Sequence, residues 1–160
     1  MTTDLSGPSR RKHFTLVATA AAVFAIDLAT KIAASAALAD RDIDLPGPLD
    51  LRLSYNPGVA FGMGTSTPTW LVLTLTGAVA VGIAVAAWRG LFASYIAAGV
   101  VVGGALANVA DRSQAGTVVD MLYTGWWPTF NLADVAIVCG AIALAATSWR
   151  AAPHEPTAEP

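Results

Sequence analysis

The sequence predicts an all-α polytopic membrane protein with four transmembrane helices and a small extracytoplasmic β element. Hydrophobic residues make up 55% of the 160 residues and charged residues only 12%, against about 25% charged in an average soluble domain. The apolar residues are concentrated in four stretches, each near the roughly 17 to 25 residues that a helix needs to cross a bilayer. Composition and length together therefore place the chain in a membrane.

The four apolar stretches cover residues 14–38, 70–87, 91–110 and 133–148. The last is the shortest, and the first is interrupted by Asp27 and Lys31. A cleavable signal peptide is an alternative interpretation of the first stretch, because three basic residues precede it. The apolar region of a signal peptide runs only about 7 to 15 residues, however, and does not carry an acid and a base in its middle. We therefore expect a retained helix.

Basic residues predict the orientation of these helices. With four spans, the basic residues before the first span, between the second and third spans and after the fourth span fall on one side of the membrane: Arg10, Arg11, Lys12, Arg89 and Arg150. Cytoplasmic loops carry an excess of Lys and Arg, and interfacial tryptophans, such as those directly before Arg89 and Arg150, mark the ends of spans. We expect a cytoplasmic tail of residues 1–13, a four-helix membrane domain of residues 14–149 and a cytoplasmic tail of residues 150–160.

The connection between the first two spans contains a predicted strand. Leucine and tyrosine alternate with polar residues over residues 49–55, which is the period-two pattern of a half-buried strand. Turn residues follow at 56–58, and Gly62 and Gly64 favour a bend close to the bilayer. We expect a small sheet at the outer membrane surface.

Composition also excludes several classes of function. A net charge of −2 and a pI near 5.5 provide no basic surface for nucleic acid. The only cysteine, Cys139, lies in an apolar run, so it is expected to pack between helices rather than form a disulfide. His13 and His154 fall in the expected tails, which argues against histidine-assisted serine or cysteine catalysis and against a zinc site.

Polar and ionisable residues within or at the outer ends of the spans are the candidate functional residues. They are Asp27, Lys31, Asn108, Asp111, Arg112, Asp120, Asn131 and Asp134. Placing a charge in the bilayer centre costs about 2.5 to 3.5 kcal/mol on insertion scales, so a functional role is the first hypothesis. Asp27 and Lys31 have the i, i+4 spacing of a helical ion pair, which favours a positioning role. The cluster at 108–112 is also interpreted as mainly architectural, with Arg112 able to hold a carboxylate.

Asp120 and Asp134 differ from the other acids, because neither has a basic residue at helical spacing. An outer connection between the third and fourth spans brings both to the same depth near the interface. Two neighbouring carboxyl groups share a proton, so one can act as a base towards water and the other as an acid. Aspartic peptidase chemistry fits this pair, although a proton relay or helix capping by Asp134 would use the same residues.

Two further classes of function are compatible with these residues. A small proton-coupled transporter or a non-enzymatic scaffold would use the acids as a relay or for helix association, although the sequence has no internal repeat of the kind that many transporters carry. A serine peptidase would use Lys31 as the base for Ser35, which lies one helical turn away. No oxyanion donor is evident near Ser35.

Five ordered stretches carry a resemblance to a known family. They are DLATK (27–31), NPGVAF (56–61), GGALANVADR (103–112), GTVVD (116–120) and FNLAD (130–134). Together they resemble the five motif regions of the bacterial lipoprotein signal peptidases, signal peptidase II. The resemblance implies that Asp120 and Asp134 form the catalytic dyad. It implies that Asn56, Asn108, Asp111, Arg112, Asn131, Asp27 and Lys31 order the site or contact substrate.

The resemblance also implies substrate and location. The expected enzyme is a monomer of the bacterial cytoplasmic membrane, with no metal or organic cofactor, that cuts diacylglyceryl-modified prolipoproteins before the lipidated cysteine while membrane lipid surrounds it. Two residues depart from the family pattern: Ala107 replaces a glycine, and Met121 replaces an aromatic residue. We expect these departures to change substrate fit and helix packing without removing a reacting group.

Overall fold

The computed structural model describes residues 8–57 and 68–151. Within them, four helices and two short strands follow in the order α1 (Pro8–Ala37), β1 (Asp50–Asn56), α2 (Thr69–Trp88), α3 (Tyr95–Ala115), β2 (Val118–Tyr123) and α4 (Leu132–Ala151). The predicted helical class with a small β element is thus confirmed. Gly58 to Phe61 of the second motif, Gly62, Gly64 and His154 lie outside the described residues.

Helix α3 lies at the centre of the bundle and contacts each of the other three helices. Small residues allow this close approach. A Cβ atom added at Gly103 would lie 2.5 Å from the carbonyl oxygen of Ala20 in α1, and one added at Gly104 would lie 2.7 Å from that of Ala133 in α4. Gly99 and Gly103 form the GxxxG spacing that lets membrane helices pack backbone to backbone.

Three of the four helices are long and apolar enough to cross a membrane: Ser9–Ala37, Thr69–Trp88 and Leu132–Arg150. Helix α3 corresponds to the third predicted span but is not among them. Its composition explains the difference, because it combines several glycines with the polar residues Asn108, Asp111 and Arg112. A helix surrounded by protein needs less hydrophobicity than one surrounded by lipid, and most of its first fourteen residues are buried.

The first helix begins at Pro8, before the start of the apolar stretch at residue 14. His13, expected in a tail, therefore lies in α1. Its ring stacks on Trp88 with ring centroids 3.9 Å apart.

The two strands form one antiparallel sheet, in which Ser54 lies opposite Asp120 and Asn56 opposite Val118. Strand β1 matches the predicted strand to within one residue at each end, whereas β2 was not predicted. Helix α3 ends at Ala115 and is capped by Gly116, whose φ of 72° is the left-handed conformation that glycine adopts most easily. The chain then turns into β2, which carries Asp120.

Cys139 is exposed on the outer surface of α4. The expectation that it packs between helices is wrong. The next residue, Gly140, makes the close contact instead: an added Cβ would lie 2.7 Å from the Val101 side chain of α3. Successive residues of a helix point in different directions, so Gly140 lies at the interface with α3 and Cys139 on the outer surface.

Candidate active site

Asp120 and Asp134 come from different elements and are joined through one residue, Asn131. Asp120 lies in β2 and is only 1% exposed, while Asp134 lies in the first turn of α4. The Asn131 side-chain nitrogen donates to Asp120 Oδ1 at 2.7 Å, and its backbone nitrogen donates to Asp134 Oδ2 at 3.2 Å. The structure therefore brings the two predicted acids to one place.

Local sequence explains the position of Asp134. Asn131 precedes α4, and its side-chain oxygen accepts a hydrogen bond from the Asp134 backbone nitrogen at 2.9 Å. With the reciprocal bond from the Asn131 nitrogen to the Asp134 carboxylate, this is a capping box. Asn131 is therefore the cap, and Asp134 is the third residue of the helix. The alternative that Asp134 is itself the N-cap is wrong.

Every carboxylate oxygen of the pair accepts a hydrogen bond from an amide. Besides the two bonds from Asn131, Asn56 Nδ2 donates to Asp120 Oδ2 at 3.1 Å, and Asn108 Nδ2 donates to Asp134 Oδ1 at 2.8 Å. Amide donors fix the orientation of a carboxyl group without adding a formal charge. These donors come from β1, α3 and the start of α4, so the orientation of the acids depends on the packing of the whole molecule.

Burial away from water raises the pKa of Asp120 from 3.8 to about 6, and the nearby charge of Asp134 acts in the same direction. Hydrogen bonds from Asn56 and Asn131, together with the charge of Lys31, oppose this increase in the pKa. The Asp120 carboxyl group therefore retains its proton at pH values where an ordinary aspartate has lost it.

A second network, centred on Lys31, supports the first. Its ammonium group lies 2.6 Å from Asp27 Oδ2 and 2.8 Å from Asp111 Oδ2, and it donates to Asn108 Oδ1 at 2.9 Å. The predicted ion pair between Asp27 and Lys31 is thus present. Asp27 Oδ1 also accepts a hydrogen bond from the Ala133 backbone nitrogen at 2.8 Å, which ties α1 to the start of α4.

Lys31 reaches the candidate dyad through Asn108. The Asn108 side-chain oxygen accepts from Lys31 and also from Asn131 Nδ2 at 3.2 Å, which leaves its nitrogen to donate to Asp134. An ammonium group has three N–H donors, and those of Lys31 are matched by three acceptors. This engagement disfavours Lys31 as the base for Ser35.

The charge of Arg112, at the outer end of α3, interacts with Asp134, Asp120 and Asp111. All nine residues expected in the site thus fall into these connected networks or act on them electrostatically. Asn56 is the last residue of β1, so its place in the network follows from the sheet register.

An apolar cavity of about 380 Å³ adjoins Asp134. Its other lining residues are Thr124, Trp126, Trp127, Phe130, Val135, Val138 and Cys139. This cavity was not predicted from the sequence. The FNLAD motif held a partial signal, because its aromatic residue Phe130 and its aspartate Asp134 both line this cavity.

Both departures from the family pattern are buried. Met121 is 4% exposed and packs with Ala34 and Leu38. It also lines a second apolar cavity, of about 300 Å³, between α1 and the sheet. Ala107 is 3% exposed in α3. Neither residue replaces a polar group of the network.

The arrangement combines one buried carboxyl group of raised pKa, a second carboxyl group held beside it, and an adjoining apolar cavity. A protonated and an ionised carboxyl group at one place can give and take a proton in a single reaction. The cavity provides space for an apolar chain next to them.

Comparison with known proteins shows what the chain is similar to. The family described as Signal peptidase (SPase) II matches residues 19–150. A lipoprotein signal peptidase of Rhodococcus jostii (strain RHA1) is 41% identical over 146 residues, covering 85% of this chain and 73% of that protein. One of Syntrophomonas wolfei is 55% identical over 49 residues, 31% of this chain and 33% of that protein. A solved bacterial membrane enzyme superposes with a TM-score of 0.71 and 25% identity, covering 89% of this chain and 94% of that one.

Proposed function

Since the chain belongs to the signal peptidase II family and removes signal peptides from prolipoproteins, we propose that it does so as an aspartic endopeptidase whose reacting groups are Asp120 and Asp134. The observation that carries the proposal is their convergence on Asn131, which bonds to both carboxyl groups. Family membership favours this activity over a proton-coupled transporter or an inactive scaffold.

The proposed reaction is a direct attack of water on the scissile carbonyl. The ionised carboxylate, assigned to Asp134, takes a proton from water as the water oxygen bonds to the carbonyl carbon. The protonated carboxyl group, assigned to Asp120 because it is the more deeply buried of the two, only 1% exposed, gives its proton to the carbonyl oxygen. As the C–N bond breaks, the leaving amine takes the proton held by Asp134, and Asp120 recovers its own from the tetrahedral intermediate.

The remaining site residues position the dyad. Asn131 and Asn56 orient Asp120, and Asn108 orients Asp134. Lys31 fixes Asn108 and neutralises the buried charges of Asp27 and Asp111. Arg112 adds positive potential near the acids, which favours negative charge developing on the carbonyl oxygen.

The substrate proposed for this site is a diacylglyceryl-modified prolipoprotein, cut before the lipidated cysteine. The apolar cavity beside Asp134 supports this proposal, because tryptophan, phenylalanine and valine side chains line it and can hold an acyl chain. The protein is proposed to act as a monomer, which is compatible with hydrogen bonds to the dyad that come from its own chain.

For the membrane arrangement, we propose four spans, with α3 as the buried third one, and a membrane peptidase domain of residues 14–149. Both termini are then cytoplasmic, and the site lies near the extracytoplasmic face of the bacterial membrane. The basic residues around α1, the loop after α2 and the end of α4 support this orientation.

The decisive experiment uses purified protein and a diacylglyceryl-modified precursor. Asp120→Asn and Asp134→Asn are each expected to lower kcat/KM by at least about a thousandfold, because an amide cannot supply either carboxyl form. Asp44→Asn, a matched change at an 84% exposed aspartate, is expected to leave cleavage unchanged. Ser35→Ala is likewise expected to remain active.

The same assay separates the proposed chemistry from its rivals. Cleavage is expected to continue in the presence of a metal chelator and of serine-directed reagents. Substantial activity in either dyad variant would refute the assignment, and selective loss in Ser35→Ala would favour the serine mechanism. Inhibition by a chelator that added zinc reverses would also overturn the proposal.

A further inference from the structure

A polar cavity of about 380 Å³ lies at the end of the bundle opposite the dyad, where the start of α1, the end of α2 and the start of α3 meet. Its lining includes Ser9, Lys12, His13, Trp88, Arg89 and Tyr95. The cavity shares no residue with the proposed peptidase site, and the proposed reaction does not use it.

Aromatic rings hold two of its basic side chains in place. The His13 ring lies parallel to Trp88, with an interplanar angle of 3°, and His13 Nε2 lies 3.1 Å from the Trp88 carbonyl oxygen. Lys12 Nζ lies 5.6 Å from the centre of the Tyr95 ring, within the range of a cation–π contact. These contacts join α1 to the other two helices and fix the positions of Lys12 and His13 at the cavity.

The positive charge in this cavity has no carboxylate partner among residues 8–57 and 68–151. The ion pairs found there involve only Lys31 and Arg52. The N-terminus of α3, capped by Ser94, also points to this end of the bundle, and a helix N-terminus adds positive potential. Lys12 and Arg89 thus give the cavity a positive potential.

Exposed apolar side chains line the cavity or follow directly in sequence after residues that line it. Phe14 is 74% exposed, Trp88 55% and Leu91 71%. A water-soluble anion would gain nothing from these neighbours, whereas a lipid would place its headgroup in the cavity and its acyl chains along them. Basic pockets between membrane helices are suited to anionic headgroups.

From this combination we propose that the cavity bounded by Lys12, His13, Trp88, Arg89 and Tyr95 binds the phosphodiester headgroup of an anionic phospholipid. Lys12 and Arg89 contact the phosphate, His13 holds the Trp88 side of the cavity in place through its ring stacking, and Phe14 and Leu91 contact the acyl chains. The bound lipid links α1, α2 and α3 at the end of the bundle far from the dyad.

The test measures lipid binding to the purified full chain in neutral detergent by native mass spectrometry. Phosphatidylglycerol is compared with phosphatidylcholine of the same acyl chains, and inorganic phosphate and glycerol 3-phosphate serve as headgroup probes without chains. We expect phosphatidylglycerol to bind at least about tenfold more tightly than phosphatidylcholine, and the two soluble anions to compete only weakly.

The variant Lys12→Gln/Arg89→Gln is expected to weaken phosphatidylglycerol binding by about 25-fold, since each basic residue near an anionic surface contributes about fivefold. The matched control is Arg11→Gln/Arg150→Gln, which removes the same charge at the same end of the bundle from residues that do not line the cavity. It is expected to bind almost as the unmodified protein does.

Each other outcome overturns the proposal. Equal loss in both double variants would mean that diffuse surface charge attracts the lipid. Equal binding of the two lipids by the unmodified protein would show that the cavity does not select an anionic headgroup. This comparison does not depend on whether a variant folds. Phosphate competing as strongly as the lipid would make the cavity a site for soluble anions.

Discussion

At the scale of single residues, Asn131 connects the two candidate catalytic acids. It is fully buried, its side chain binds Asp120 and Asn108, and its backbone binds Asp134. One amide side chain therefore caps a helix and orients a carboxyl group at the same time. Capping is needed to begin α4 at this position, so the geometry of the site follows from the way the helix begins.

The raised pKa of Asp120 leads to a prediction about pH. As the pH rises through about 6, Asp120 loses its proton, and the proposed reaction loses its acid. We expect kcat/KM to fall on the alkaline side with a midpoint near that value, and a second, acidic limb where the pair takes up another proton. Initial rates across pH in one detergent would measure both limbs.

The same proton contributes to the stability of the folded protein. Because the folded pKa of Asp120 exceeds the ordinary value, this contribution is complete below pH 3.8 and is lost as the pH rises through about 6. Asp120→Asn lacks the titrating group, so its melting temperature relative to the unmodified protein should increase across that window. A constant difference at all pH values would contradict the raised pKa.

Lys31 leads to a second prediction at the same scale. Lys31→Met removes the positive charge from two acids, Asp27 and Asp111, that are 1% and 17% exposed. Breaking a buried ion pair by removing one partner costs about 3 to 5 kcal/mol. We expect a loss of that size in the free energy of unfolding, measured by denaturant titration in mixed micelles.

The control for Lys31→Met is Ser35→Ala, one helical turn further along α1. Substitutions away from buried networks, at residues without a hydrogen-bond or ion-pair partner, change the free energy of unfolding by about 0.5 kcal/mol or less. If Lys31→Met unfolded at the same denaturant concentration as Ser35→Ala, the buried network would contribute nothing to stability.

At the scale of elements, helix α3 determines how closely the bundle packs. Its glycines bring it against the backbones of α1 and α4, and the same helix carries Asn108 to Asp134 and Asp111 to Lys31. A small change in the spacing of α1 and α3 would move the donors of both networks together. Packing and site geometry are therefore coupled through this helix.

We expect Gly103→Ala to destabilise the bundle by about 1 to 3 kcal/mol, the usual cost of overpacking. The new Cβ would lie 2.5 Å from the Ala20 carbonyl oxygen and 2.9 Å from the Val23 side chain. Because the carbonyl oxygen belongs to the backbone, it can make room only if helix α1 shifts with it. The melting temperature in detergent and the cleavage rate should both fall.

Gly82→Ala is the matched control for this substitution. Gly82 lies in α2, and an added Cβ there meets nothing within 4 Å, so the higher helix propensity of alanine should stabilise by up to about 1 kcal/mol. Equal melting temperatures for the two variants would show that the close approach of α1 and α3 does not limit stability.

At the scale of the whole molecule, the two ends of the bundle differ in charge. All the carboxylates among the described residues lie in the dyad networks or in the connection between α1 and α2, whereas Arg10, Arg11, Lys12, Arg89 and Arg150 lie at the other end. This asymmetry is the physical basis for the proposed orientation, because basic residues are retained on the cytoplasmic side.

Reporter fusions test the orientation and the number of spans together. Fusions at Gly90 and after Arg150 are expected to report the cytoplasm, and a fusion at Asp42 the outside. The same compartment for Gly90 and Asp42 would exclude α1 and α2 as an antiparallel pair of spans. Opposite compartments for Gly90 and Arg150 would mean that only one of α3 and α4 crosses the membrane, which would exclude the four-span arrangement.

Much of this protein is determined by local sequence. Hydropathy over about twenty residues locates the helices, period-two alternation locates β1, and i, i+4 spacing on α1 predicts the pair of Asp27 and Lys31. Each of these patterns involves residues that are close together in the chain. The geometry of a helix or strand backbone is therefore enough to predict the element from the pattern. The five motifs likewise identify the family and propose Asp120 and Asp134 as the dyad.

The tertiary structure decides what depends on contacts distant in sequence. Strand β2 forms because β1 pairs with it, and Lys31 meets an asparagine 77 residues away. The buried position of α3 and the apolar cavity beside Asp134 also require the assembled bundle. The raised pKa of Asp120 also depends on the tertiary structure. Several elements together bury its carboxyl group and remove the water that would otherwise stabilise its charge.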